Sequence, residues 1–174
     1  AAPSTDALVL LAPLGEDASS AAAALRVDAG RAVAIDTLFP FAARACKRRV
    51  LMTTPATSAQ AREAAAGLFA ADGAKVSVLR DSPGFVSQRV VAMIVSIGTE
   101  IAQQRIASPE DIDTAVRLGL GYPAGPLTMG DRLGAARVLE VLEGIHRTTA
   151  DPRYRPGPWL RRRARLGLSL LHAD

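Results

Sequence analysis

Asp81-Ser-Pro-Gly-Phe-Val-Ser-Gln-Arg89 is the point at which the chain changes its hydrophobic period. Downstream, Val86, Val90, Met93 or Ile94, Ile97 and Ile101 recur at helical spacing for about five turns, which predicts a long, largely buried helix. Upstream, four short aliphatic runs read as strands: Ala7 to Leu11, Ala32 to Ile35, Val50 to Met52 and Lys75 to Leu79, each bounded by Pro, Gly, Asp or Thr. The stretch from Glu16 to Leu25 lies between the first two, and its acidic start and run of alanines favour a helix. Ser58 precedes a second run of helix formers, Ala59 to Phe69, which Asp72-Gly73 breaks. The alternation argues for an α/β layer with a partly parallel sheet. The chain therefore divides near Ala74 to Ser82 into an α/β part, residues 1–80, and an all-helical part, residues 81–174.

Further along, Ser108-Pro-Glu-Asp111 reads as an N-cap with proline at the first helical position, opening a helix that ends at Gly119. Leu118-Gly-Leu-Gly-Tyr-Pro-Ala-Gly-Pro-Leu-Thr-Met-Gly-Asp131 follows. Its glycines Gly119, Gly121 and Gly125 can take positive φ, and Pro123 and Pro126 fix φ near a tight-turn value. A non-helical loop with Tyr122 at its centre should reverse the chain between packed helices and bring Asp131 near the next helix start. An amphipathic helix through Val138, Leu139, Val141, Leu142 and Ile145 comes next, and a last one follows Pro158-Trp-Leu160.

The Pro83-Gly84-Phe85 turn, the Gly-Leu-Gly-Tyr-Pro-x-Gly-Pro loop and the later Asp151-Pro-Arg-Tyr-Arg-Pro156 together resemble the C-terminal, helical domain of 3-hydroxyacyl-CoA dehydrogenases. The resemblance runs from Asp81 nearly to the end. It implies an α+β chain: a truncated Rossmann-like layer, then a helical domain of the kind also found at the C-terminus of 6-phosphogluconate dehydrogenases. It also implies a parent activity, the NAD-dependent oxidation of an (S)-3-hydroxyacyl-CoA in fatty-acid or acyl-CoA degradation. In the family a histidine takes the hydroxyl proton, a glutamate orients it, and a serine and an asparagine hold the substrate oxygens.

These groups are replaced or missing here. The family's Leu-His-Phe-Phe-Asn-Pro stretch corresponds to Ile35-Asp-Thr-Leu-Phe-Pro40, so Asp36 takes the histidine's place and Phe39 the asparagine's. A carboxylate with a reference pKa near 3.9 is a poor base for an alcohol. The partner glutamate falls in Arg49-Val-Leu-Met52, which holds no acid in any register. The connection between Leu11 and Arg31 is too short for the family's serine, and Ser19 and Ser20 read as helix residues. No G-x-G-x-x-G follows a strand and opens a helix, although a pyrophosphate needs backbone to approach that closely. Gln88 corresponds to the family's substrate-binding asparagine, one methylene longer; it reads equally as a retained substrate contact or as a polar residue at a helix start. Arg89 matches the family's usual arginine, and a helix-start or interdomain ion pair explains it. The resulting expectation is a chain that binds no NAD itself and has no catalytic residue, a degenerate second copy that packs on a catalytic copy or on itself. Two alternatives stand beside it: an active 3-hydroxyacyl-CoA dehydrogenase whose cofactor loop and base are supplied upstream or by a partner, and acyl-CoA affinity without chemistry, with Lys47-Arg-Arg49 and Lys75 as candidate phosphate contacts.

Composition adds little to this and excludes several classes. The apolar share of 49% comes from alanine rather than aromatics, and no run approaches the length of a membrane helix. Ala1-Ala-Pro-Ser-Thr-Asp6 lacks the basic start of a signal peptide, so the cytoplasm is the expected compartment. Cys46 is alone, which leaves no intramolecular disulfide and no thiolate metal site. The net charge of +4 is carried mainly by arginine. Its one cluster, Arg161-Arg-Arg163 with Arg165, reads as a solvated helix face or a tail contact, because no recognition motif for nucleic acid accompanies it. His146 suits a helix C-terminus without a chemical task, and His172 falls in a tail expected to fray. No His or Cys pair has ligand spacing.

Overall fold

The computed structural model describes residues 7–39 and 46–173. The N-terminal stretch Ala1 to Asp6 and Pro40 lie outside them. The chain divides between Phe85 and Val86 into two compact units.

The first unit is a four-stranded sheet in the order β1 (Val9–Leu11), β2 (Ala32–Ile35), β3 (Arg48–Thr53), β4 (Lys75–Leu79). β1 and β2 are parallel, β2 and β3 antiparallel, β3 and β4 parallel. Each parallel pair is bridged by a helix, α1 (Ala18–Ala24) and α2 (Ala59–Ala70). The two-residue period of β2 sorts its side chains between them. Ala32 and Ala34 face a cluster with Leu11, Ala18, Ala21, Ala22, Met52 and Phe85. Val33 and Ile35 face the opposite cluster with Leu51 and Ala65. Small side chains on the first face allow α1 to lie close to the strands. The expected run from Ala7 shortens to three residues, and Leu10 is 42% exposed.

The turn that closes this unit, Pro83-Gly84-Phe85, carries positive φ at Gly84 (75°) and at Phe85 (36°). A left-handed phenylalanine costs about 1–2 kcal/mol. Complete burial of its ring, worth about 1.5–3 kcal/mol, offsets that cost.

The second unit is helical throughout: α3 (Val86–Gln103), α4 (Pro109–Leu120), α5 (Pro126–Leu133), α6 (Ala135–Thr149), a 3-10 turn at Pro152–Tyr154, and α7 (Pro158–Leu166). α3 packs against all the others. Its buried face is not the aliphatic stripe expected from the sequence. Val86, Val90 and Ile97 are exposed, whereas Ala92, Val95, Ser96, Gly98, Thr99 and Ala102 are buried. Small residues win the interior because helices approach closely there: a Cβ on Gly98 would stand 2.8 Å from Pro126 Cβ. No helix of the described residues is long and apolar enough to cross a membrane.

Candidate functional site

Asp36 follows β2, where its amide donates to the Val50 carbonyl at 3.0 Å and extends the antiparallel pairing by one bond. Its carboxylate accepts the Leu38 amide at 3.1 Å, a local turn that uses the group for backbone closure. The facing strand, β3, presents Val50, Leu51 and Met52, so no second acid supports it there. Phe39 is 43% exposed.

The strand-to-helix turns of this unit are closed by the chain's own side chains. At the entrance of α1, Asp17 accepts the Ser20 amide (2.7 Å) and hydroxyl (2.8 Å). Asp81 arrives from the far end of the unit and accepts the amides of Ala18 (2.7 Å) and Ser19 (3.3 Å) as well as the Ser19 hydroxyl. Gly84 donates to the Glu16 carbonyl beside them. Before α2, Thr57 accepts the Thr54 amide and donates to the Ala32 carbonyl, both at 2.8 Å, and Ser58 caps the helix through the Ala61 amide. A dinucleotide pyrophosphate requires free amides at a helix start and an approach without negative charge. Two carboxylates already occupy amides of α1, so this helix start does not fit a pyrophosphate.

Two residues of the basic edge are engaged, while Lys47 and Lys75 are exposed. Arg49 pairs with Asp72 through two parallel bonds of 2.6 Å, and Arg48 donates to the Ser77 hydroxyl at 2.6 Å. The Arg49 guanidinium holds the Asp72 carboxyl down at about 2, with the Ala74 amide adding to the effect. Cys46 is partly exposed, its thiol 3.3 Å from the Arg48 carbonyl. Among the described residues no group of three or more His, Cys, Asp or Glu could hold a metal ion.

In the helical unit the motif residues are brought together by packing and capping. Gln88 is completely buried in the first turn of α3, and Arg89 beside it is half-buried. α4 continues past Gly119 to Leu120, and Gly121 takes the left-handed C-cap position at φ 67°. Gly119 is therefore helical, against expectation. Gly125 does not use positive φ either; its φ is −71°. It is required for space, since a Cβ there would overlap the side chain and Cα of Asp113. Asp113 comes this close because it accepts the amides of Leu127 (2.8 Å) and Thr128 (2.9 Å), capping α5 from α4. Tyr122 is half-buried and Pro123 exposed within the loop, and Pro126 is the buried first residue of α5.

Asp131 divides its atoms between two tasks. Its carbonyl closes the turn to Gly134 before α6, as the expected proximity to a helix start requires. Its carboxylate reaches instead to the chain after α7, accepting the Leu170 amide at 2.8 Å and the Ser169 hydroxyl. That segment is not frayed: Leu170 is fully buried, the Trp159 indole donates to its carbonyl at 3.0 Å, and Arg163 donates twice to the His172 carbonyl (2.9 and 2.6 Å). Arg163 is 2% exposed and lies 3.2 Å from the Trp159 ring centroid, so one member of the arginine cluster is a core residue. His146 donates from Nδ1 to the Asp151 carbonyl at 3.0 Å, a bond that closes the end of α6, while the Asp151 carboxylate is paired with Arg153.

Asp113, Trp159 and Arg163 carry this unit and are not evident as functional positions in the sequence. A usable signal exists for Asp113: the Gly125-Pro126 helix start has no capping side chain, so its amides need an acceptor from elsewhere.

The architecture defines an α+β chain with a separate helical domain. A family model described as 3-hydroxyacyl-CoA dehydrogenase, C-terminal domain, matches residues 84–169, just under half of the chain. Among curated relatives, the 3-hydroxyadipyl-CoA dehydrogenase of Escherichia coli is 45% identical over 94 residues, 54% of this chain and 20% of that protein. A probable 3-hydroxybutyryl-CoA dehydrogenase of Deinococcus radiodurans is 38% identical over 88 residues, 51% of this chain and 32% of that protein. The chain thus spans a third or less of the length of these two relatives. In the crystal structure of a 3-hydroxybutyryl-CoA dehydrogenase from Escherichia coli, the similarity covers 92% of this chain and 32% of the other, with a TM-score of 0.80 and 35% identity. The (S)-3-hydroxybutyryl-CoA dehydrogenase of Ralstonia eutropha shares the fold, with a TM-score of 0.82 at 23% identity, over 98% of this chain and 62% of the other.

Proposed function

We propose that this chain is a non-catalytic domain of an NAD-dependent (S)-3-hydroxyacyl-CoA dehydrogenase, a second copy whose fold is kept and whose chemistry is lost. It packs on a catalytic copy, or on itself, to shape and shield the acyl-CoA site. The observation that carries the reading is Asp36: at the position of the family's base stands a carboxylate bonded to its own Leu38 amide, opposite a strand segment without an acid. The closed entrance of α1 supports it, because a cofactor would have to displace Asp81 and Asp17. The pairing of Arg49 with Asp72 weighs against the alternative of an acyl-CoA module that uses this edge for phosphates.

The test is NADH absorbance during incubation of the folded, purified chain with acetoacetyl-CoA, beside an active dehydrogenase of the family. No loss of absorbance is expected. Turnover approaching the control would overturn the reading. In a full-length protein containing this segment, Asp36→Ala should leave activity intact, since the base lies elsewhere; loss of turnover in a correctly folded variant would contradict that assignment.

A further inference from the structure

Beside α3, the helical unit contains an open groove of about 970 Å³ that the accessory reading does not use. Its floor is apolar: Met93, Ile97 and Ile101 follow one another at four-residue spacing, and Ile97 is 54% exposed. Its rim comes from the segment between Pro152 and Arg165 and is strongly basic.

The rim arginines fall into two groups. Arg153 is paired with Asp151, and Arg161 is held by Glu143 and by the Pro156 carbonyl. Arg155, Arg162 and Arg165 are exposed, and no described residue forms an ion pair or hydrogen bond with their guanidinium groups. Glu100 also lines the groove, against Gly157, and offsets one of those charges.

We propose that this groove docks an amphipathic helix of a partner protein, with an apolar stripe on the isoleucines and carboxylates on Arg155, Arg162 and Arg165. Charge complementarity selects the occupant. A second copy would bring the same three arginines and another net charge of +4 to the contact, which like-charge repulsion disfavours. The concave shape suits a rod better than a flat bilayer, and a helix presenting side chains at i, i+4 and i+8 matches the spacing of the floor. The inference does not depend on whether the chain catalyses, because the groove belongs to the helical unit alone.

The probe is a fluorescein-labelled helical peptide of about 18 residues, long enough to span the floor, with leucines at four-residue spacing flanked by glutamates. The control has lysine in place of each glutamate. Anisotropy with the full chain should give about tenfold or more tighter binding of the glutamate peptide, an advantage that falls with added salt. Arg155→Glu, Arg162→Glu and Arg165→Glu together should reverse the preference, and the neutral glutamine set should erase it. Ile97→Asp should abolish binding of both peptides with an unchanged circular dichroism spectrum. Equal affinity for both peptides, a preference unmoved by the arginine changes, or an Ile97→Cys chain that cross-links to its own copy would overturn the proposal. So would binding to phosphatidylglycerol vesicles without binding to the glutamate peptide.

Discussion

Asp81 and Asp113 do the same physical work in the two units, and the outcome differs. Each carboxylate caps a helix that is not its own, and each accepts two successive backbone amides. In the sheet unit the capped helix is α1, and the bond ties the segment after β4 to the start of that helix. In the helical unit the capped helix is α5, and the bond fixes the Gly-Tyr-Pro-Ala-Gly-Pro loop on which the family resemblance rests. The same kind of cap thus closes the sheet unit on itself in one case and fixes the motif loop of the helical unit in the other.

The largest break in this comparison should come from Trp159→Ala. It removes a 4% exposed indole together with its bond to Leu170 and its stacking on Arg163, and should cost about 3–5 kcal/mol in urea unfolding. Hydrogen exchange should show the loss of protection in residues 86–173 well ahead of the sheet. Next, Gly125→Ala should destabilise by about 1–3 kcal/mol, because the added Cβ collides with Asp113. Gly119→Ala, seven residues after Ile112 on α4 and with open space around it, should stabilise by about 0.5–1 kcal/mol. Opposite signs at two glycines of one motif would separate steric need from mere presence. Asp113→Ala should cost about 0.5–2 kcal/mol as a lost cap.

The smallest effect belongs to the Arg49–Asp72 pair, whose carboxylate is exposed. Asp72 has its folded pKa lowered from 3.8 to about 2, so its contribution is present above pH 4 and lost as pH falls toward 2. Asp72→Asn should lower stability slightly at neutral pH and leave it unchanged near pH 2, so the acid side of the profile flattens within that window, read by thermal unfolding from pH 2 to 7.

Much of this was legible in the sequence where local chemistry decides. The strands β2 and β4, the Ser58 and Ser108 caps and the Pro-Gly-Phe helix entry follow from turn and cap residues next to the elements they bound. What escaped depends on distant partners. The expected buried stripe of α3 failed because close helix approach favours Gly98 and Ala92 over isoleucine, and periodicity alone does not say which face meets a neighbour. The ordered tail escaped because Leu170 and His172 are held through their carbonyls, which carry no sequence signal. The short helix α5 was hidden behind a loop motif whose glycines and prolines read as a tight turn; its cap is fourteen residues upstream of Leu127.

The central proposal, that this chain binds no NAD itself, is tested most directly by titrating NADH into the purified chain and following its fluorescence. The account predicts no saturable change, with Asp81→Ala alone failing to create one because Asp17 still occupies the α1 entrance. Saturable binding by the wild-type chain at the concentrations that load an active dehydrogenase of the family would contradict it.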